Sequence, residues 1–203
     1  MMASESKRRL LTVMTSPTPT PAASRLRTLD LTYIALFTGL MAAGAWISVP
    51  VPAPLIEFTM QTFAIFMALA VLGGRRGTYA VTAYLLLGAV GAPVFAGFRG
   101  GLGVMLGATG GYIVGFLVQA LLYWAVTARL GESLPVKTLA CVAGLAVLYA
   151  FGTAWYVVFY TRASSPVSIL TALGYCVFPF IVPDLLKLGL ALVLSRRISG
   201  LLK

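Results

Sequence analysis

Apolar residues in this chain are grouped into long segments, and polar or charged residues are concentrated between them. Glycine, proline and charged residues bound these segments, as is common at helix ends. Six segments can be delimited, at residues 31–49, 59–72, 78–95, 104–130, 136–160 and 169–194. Because a spanning helix needs about 20 mostly apolar residues, the pattern predicts an all-α integral membrane bundle of about six transmembrane helices. The second and third segments are short, so hydropathy leaves five or six spans open.

The chain before the first segment has a different composition. It contains a short basic group and a Pro-Thr alternation at residues 16–21 that cannot hold a helix. We therefore predict that residues 1–29 are a disordered cytoplasmic tail and that residues 30–203 form the transmembrane domain. A signal peptide is the alternative, but the apolar run at residues 10–14 is too short for its hydrophobic region.

Composition supports the membrane assignment and excludes a soluble domain. Hydrophobic residues make up 60% of the chain and charged residues 10%, whereas soluble domains have about 45–50% and about 25%. With 203 residues, the chain holds one compact bundle and has no room for a soluble catalytic domain.

The net charge of +10 is distributed as membrane topology requires. Twelve of the fifteen basic residues follow or precede the segments on one side: Lys7, Arg8, Arg9, Arg25, Arg27, Arg75, Arg76, Arg129, Lys137, Arg196, Arg197 and Lys203. The connections on the other side hold only Arg99 and Arg162. By the positive-inside rule, this bias places both termini in the cytoplasm and argues against a nucleic-acid partner.

Most catalytic and cofactor chemistry is excluded by what the sequence lacks. Histidine is absent, which removes the commonest general base and metal ligand. Cys141 and Cys176 lie in apolar runs without metal-ligand spacing and are interpreted as packing residues. No Gly-Lys-Ser/Thr phosphate-binding loop is present, so any ATP chemistry must come from a partner. We expect no catalytic residues, no metal and no cofactor.

Asp184 and Lys187 are the only Asp/Lys pair inside an apolar run, and their spacing places them on one helix face. Counting from the predicted inner end at residue 194 places Asp184 about 15 Å deep, near the middle of the hydrocarbon layer. Charges at that depth are costly and usually functional, so we predict a polar ligand site. The alternative is an ion pair that only fixes helix rotation. Gln61, early in the second segment, is either a ligand contact or an interhelical hydrogen bond.

The most glycine-dense stretch lies between the third and fourth segments. Four of its glycines recur every four residues and predict a helical stripe for close packing: Gly103, Gly107, Gly111 and Gly115. Gly100, Gly101 and Gly110 break that register and, with Arg99, suggest a mobile loop that covers a pocket. Arg99 is interpreted either as an anion-binding group or as a solvated loop charge.

A second small-residue stripe is formed in the first segment by Ala35, Gly39 and Ala43. Such a stripe lets another helix approach closely, either within the bundle or from a separate subunit. The pattern alone favours packing within the bundle.

Two motifs, PVFAGFRGGLGVMLGATGGYIVGF and PFIVPDLLKLGLA, resemble those of the biotin-specific S component of energy-coupling-factor transporters. The resemblance covers roughly residues 31–197. It implies six helices, biotin binding from the outside, occlusion under an outer loop, and delivery through a partner transmembrane subunit driven by two ATPase subunits. The chain would lie in the cytoplasmic membrane and would not be an enzyme.

The resemblance also implies a set of site residues. Asp184, Lys187 and Gln61 would be ligands of the vitamin, and the glycine-rich loop would contribute Gly100, Gly101, Gly110, Gly111 and Tyr112. Arg99 is the candidate for the tail carboxylate of biotin. The stripe at Ala35, Gly39 and Ala43 would dock the partner subunit, against the preference from pattern alone.

Three alternatives remain at this point. The chain could be an S component for another small vitamin, or a solute-independent membrane scaffold. An intramembrane aspartyl enzyme would need two close carboxylates, whereas the membrane region offers Asp184 and only Glu57 at a loop edge.

Overall fold

The structure, a computed structural model, describes residues 27–49, 56–163 and 167–201. Its elements in chain order are α1 (Thr28–Trp46), β1 (Ser48–Val49), β2 (Phe58–Thr59), α2 (Gln61–Ala89), a 3-10 turn (Ala96–Phe98), α3 (Leu102–Met105), α4 (Gly110–Leu130), α5 (Leu134–Ala163), α6 (Ile169–Cys176) and α7 (Phe178–Leu201). Of the predicted tail at residues 1–29, residues 1–26 lie outside the described residues. Helix α1 begins inside that predicted tail, at Thr28.

The chain is mostly helical, as predicted. Within the described ranges, four helices are long and apolar enough to cross a membrane: Thr28–Trp46, Gly110–Leu130, Leu134–Arg162 and Phe178–Ile198. One feature was not predicted, a short antiparallel ladder in which Ser48 of β1 pairs with Thr59 of β2. The ladder brings the end of α1 next to the start of α2.

Helix α2 is a hairpin of two helical legs. Gly73 has φ +77° and ψ 174°, which breaks the helix between residues 61–72 and 74–89 and suits glycine because it lacks a Cβ. The legs fold back on each other, since a Cβ on Gly77 would lie 3.0 Å from the Cα of Leu69. The Lys137 ammonium donates a 3.0 Å hydrogen bond to the Ala70 carbonyl, which the break leaves without a helical partner.

This hairpin occupies the centre of the bundle. It contacts α1, α4 and α7, and Ile65, Phe66 and Leu69 of its first leg are fully buried. Two threonine hydroxyls cross between helices. Thr38 donates to the Ala80 carbonyl at 3.2 Å, and Thr78 donates to the Ala120 carbonyl at 3.1 Å. These bonds hold α1 and α4 against the second leg of the hairpin.

The predicted glycine stripe is correct only in its second half. Gly111 and Gly115 lie on α4, where a Cβ would collide with Trp155 and would lie 2.8 Å from Leu148, both on α5. They allow the close contact of α4 with α5. Gly103 and Gly107 do not continue the stripe because α4 begins only at Gly110.

The stripe of α1 does not face the bundle, contrary to the preference from pattern alone. Ala35, Gly39 and Ala43 are all exposed, and a Cβ on Gly39 would meet no atom within 4 Å. The opposite face of α1, with Phe37 and Met41, provides the internal contacts. The small residues therefore leave a smooth strip open on the surface.

Candidate functional site

A cavity lies between α2, α4, α5, α7 and the loop that joins α2 to α4. Its empty space is about 760 Å³, a volume that includes the open mouth. The apolar wall contains Phe95, Ile113, Phe116, Leu148 and Phe180. The charged side chains that line the cavity are grouped at two places.

The first group, here called the polar cluster, consists of Thr62, Tyr149, Asp184 and Lys187. Asp184 Oδ1 accepts hydrogen bonds from Lys187 Nζ at 2.8 Å and from Thr62 Oγ1 at 2.9 Å. Asp184 Oδ2 accepts one from the Tyr149 hydroxyl at 2.7 Å. Both charged side chains are almost entirely buried, with 3% of Asp184 and 7% of Lys187 exposed. With respect to residues 27–49, 56–163 and 167–201, the carboxylate therefore keeps one unoccupied acceptor position on Oδ2.

Lys187 is held from three directions. Besides Asp184, its ammonium donates to the Thr59 carbonyl at 2.7 Å and to Thr62 Oγ1 at 3.1 Å. It also lies 4.0 Å from the centre of the Phe58 ring, a cation–π contact. All three N–H groups are thus engaged, and a ligand can contact this ammonium only by replacing one of its partners.

The chain breaks its helix just before these charged residues. Val177, with φ −127° and ψ −58°, separates α6 from α7. Pro179 lies in the first turn of α7, where the missing N–H costs little. Asp184 is six residues past the start of α7 at Phe178, about 9 Å along the axis. Asp184 therefore lies closer to the start of its helix than the predicted segment at residues 169–194 implied, because α7 begins only at Phe178.

Gln61 and Tyr112 complete the inner wall. Gln61 is 5% exposed at the start of α2, and its Nε2 is buried without a partner among the described residues. An unpaired buried amide N–H is costly, which favours a ligand acceptor at this position. The Tyr112 hydroxyl shares a 2.9 Å hydrogen bond with Thr153 Oγ1, which orients its ring along the cavity.

The second polar group is at the mouth of the cavity. Arg99 is half exposed and its Nη2 lies 2.6 Å from Oε1 of Glu57. Arg99 Nε also donates to the Ala96 carbonyl at 2.9 Å. The sequence interpretation took Arg99 either as an anion-binding group or as a solvated loop charge, and the structure pairs it with a carboxylate from the segment before β2.

The four predicted glycines are not among the residues that line the cavity. A Cβ on Gly100 would collide with the Ala92 carbonyl, on Gly110 with the Met105 carbonyl, and on Gly111 with Trp155. Gly101 has φ +92° and precedes α3. Gly100, Gly101 and Gly110 therefore allow the loop beside the cavity to fold tightly, whereas Gly111 lets α4 approach α5.

Two members of the polar cluster, Thr62 and Tyr149, were missed by the sequence interpretation. Thr62 directly follows Gln61, and Tyr149 lies in the middle of α5 rather than at its end. A tyrosine in mid-helix was the available signal, since its hydroxyl needs a buried partner in a membrane. Cys176 also lines the cavity, whereas Cys141 is buried elsewhere. Within residues 27–49, 56–163 and 167–201, no group of three metal-ligating side chains occurs.

With this geometry established, known proteins provide a comparison. Residues 15–203 match the BioY family. The chain belongs to the BioY family. It is 41% identical over 167 residues to the biotin transporter BioY of Thermotoga maritima, covering 82% of this chain and 93% of that protein. It is 38% identical to the probable biotin transporter BioY of Pyrococcus horikoshii, covering 84% and 96%.

A solved structure is also similar to the whole bundle. The crystal structure of the S-component for biotin from an ECF-type ABC transporter matches with a TM-score of 0.74 and 26% identity. The match covers 85% of this chain and 91% of that chain. Family membership agrees with the multi-pass membrane character that the apolar helices indicate.

Proposed function

We propose that this BioY family protein binds biotin and serves in its uptake as the S component of an energy-coupling-factor transporter. The observation that carries the proposal is the buried polar cluster around Asp184 and Lys187, which lies beside a cavity with an extensive apolar wall. Similarity to proteins named biotin transporters supports the choice of vitamin. The protein is then a carrier and not an enzyme.

The chemistry of biotin fits the distribution of polar atoms. Its ureido ring has two N–H donors and one carbonyl acceptor, while its sulfur ring and alkyl chain are apolar. We assign a ureido N–H to the open acceptor position on Asp184 Oδ2 and the ureido carbonyl to Gln61 Nε2, which has no partner among the described residues. Lys187 holds the carboxylate in position, or exchanges one of its partners for the ligand. The apolar wall contacts the remaining atoms.

If the ureido ring of biotin binds within the polar cluster, the tail of biotin is directed to the mouth of the cavity. There we expect the tail carboxylate to contact Arg99, with the glycine-rich loop closing over the ligand. Gly100, Gly101, Gly110 and Gly111 contribute by letting the loop pack tightly, and Tyr112 contributes through its ring. Binding energy would favour this occluded form, which the rest of the transporter then acts on.

Isothermal titration of the detergent-purified protein tests the ligand. Biotin is expected to bind at one saturable site, and a panel of other water-soluble vitamins is expected not to compete. Absence of biotin binding, or tighter binding of another vitamin, would contradict the proposal and would favour an S component of different specificity.

We further propose six spans, both termini in the cytoplasm, and docking of an energy-coupling transmembrane subunit with two ATPase subunits. The two α2 legs, added to the four long helices, support the count. The exposed stripe of Ala35, Gly39 and Ala43 supports the docking surface. Gly39→Leu is expected to keep biotin binding and lose co-purification with the transmembrane subunit. Leu40→Phe, beside the stripe, is the matched control.

A further inference from the structure

The mouth of the cavity contains a carboxylate that the binding of biotin does not explain. Glu57 lines the cavity together with Arg99, and its Oε1 lies 2.6 Å from Arg99 Nη2. Its other oxygen, Oε2, is buried and has no hydrogen-bond partner among the described residues. A buried carboxylate oxygen without a donor is costly, so the mouth offers an acceptor that the described part of the chain does not satisfy.

The ion pair also changes what Arg99 can do for a ligand. In the described residues the guanidinium uses Nε for the Ala96 carbonyl and Nη2 for Glu57, which leaves other N–H groups of the five available. Its charge, however, is balanced by Glu57. A ligand carboxylate at this pair is attracted by Arg99 and repelled by Glu57, so its net gain in electrostatic energy is small.

An uncharged carboxamide matches the same pair more completely. Its carbonyl accepts a hydrogen bond from an Arg99 N–H, and its N–H donates to Glu57 Oε2, so both partners are satisfied without like-charge repulsion. We infer that Glu57 is a specificity-determining residue that opens the site to carboxamide-tailed biotin derivatives as well as to the free acid. This inference rests on the proposed function, because it assumes that the biotin ring occupies the polar cluster.

Glu57 is well placed for this role because its neighbours tie it to the interior. The adjacent Phe58 ring contacts Lys187, and the Thr59 carbonyl accepts from the same ammonium. The segment is therefore anchored at the polar cluster, and the Glu57 side chain extends from that anchor to the mouth. Its position is set by the bundle and does not depend on the ion pair alone.

The test compares three ligands by titration on the purified wild-type protein: biotin, biotinamide and biotin methyl ester. The ester has the carbonyl of the amide but no N–H. Biotinamide is expected to bind within tenfold of biotin and more tightly than the ester. A loss of more than tenfold for the amide, or an ester that binds as well as the amide, would overturn the inference.

Glu57→Gln removes the balancing charge and supplies donors to a carboxylate. The preference for biotin over biotinamide is expected to rise about fivefold or more, a modest change because the pair is partly exposed and screened. Glu132→Gln, the same substitution in a different ion pair, is the matched control and should not change the ratio. A Glu57→Gln ratio equal to that of the wild type would refute the assignment.

The outcomes separate the two proposals. If no ligand binds the wild-type protein, the proposed function fails and the inference fails with it. If biotin binds with full affinity while the amide is rejected, only the role of Glu57 is overturned. If the Glu57→Gln protein does not fold, the three wild-type affinities still decide the question.

Discussion

Asp184→Asn distinguishes a ligand site from a structural ion pair. The substitution keeps the shape of the side chain but removes the charge that balances Lys187, which is 7% exposed. Removing one partner of a buried pair typically costs about 3–5 kcal/mol. Lys187 retains the Thr59 carbonyl and the Phe58 ring, so we expect the free energy of unfolding to fall by the lower end of this range, about 3 kcal/mol. For a protein of this size that corresponds to a thermal midpoint about 6–12 °C lower.

The double variant Asp184→Asn/Lys187→Met removes both charges. Removing both charges of a buried ion pair together often leaves the free energy of unfolding nearly unchanged. We therefore expect its midpoint to return to within about 3 °C of the wild type. Biotin binding should not return, because the ureido N–H has lost its carboxylate, a charge-assisted hydrogen bond worth about 1.5–3 kcal/mol. That loss alone weakens binding roughly 10- to 150-fold.

Thermal unfolding in detergent without ligand measures the first effect, and isothermal titration with biotin measures the second. Glu132→Gln is the control, since Glu132 is 54% exposed in its pair with Lys137 and surface pairs contribute about 0–1 kcal/mol. A double variant that regains stability and still binds biotin normally would refute the reasoning. The pair would then be structural, as a scaffold requires.

Two further predictions concern residues around the same cavity. Tyr149→Phe removes the hydroxyl that donates to Asp184 Oδ2, and we expect biotin to bind about tenfold more weakly and the unfolding midpoint to fall as well, because Oδ2 is left buried without that donor; unchanged affinity would show that this hydrogen bond is not part of the site. Gly88→Ala would push its Cβ into the ring of Phe95, which lines the cavity, so both affinity and midpoint should fall. Gly189→Ala, whose Cβ meets nothing within 4 Å, is the control, and equal behaviour of the two variants would contradict the packing argument.

Much of the fold was predictable because its determinants are local. The length and apolarity of each segment decide which solvent a helix can face, and four of the predicted segments correspond to long helices. Arg75 and Arg76 marked the connection between the second and third segments, although the structure joins the two legs almost directly at Gly73. The ladder at Ser48 and Thr59 was not predictable, since each strand has only two residues.

The site was predictable where its residues share one helix. Asp184 and Lys187 are three residues apart, so helical geometry alone places them together. Thr62 and Tyr149 join them from 122 and 35 residues away in the sequence. No local pattern encodes such a contact, because it depends on how three helices pack.

The sequence by itself determined that this chain belongs in a bilayer, which stretches contain its long helices, and that a charged pair had to face an interior. Only the tertiary structure decided which neighbours that pair has, that Arg99 is balanced by Glu57, and that the Ala35, Gly39 and Ala43 stripe is open on the surface. The physical reason is that periodicity and hydropathy report the environment of a residue through its near neighbours, whereas partners and exposed faces are set by the relative rotation and approach of helices far apart in the chain.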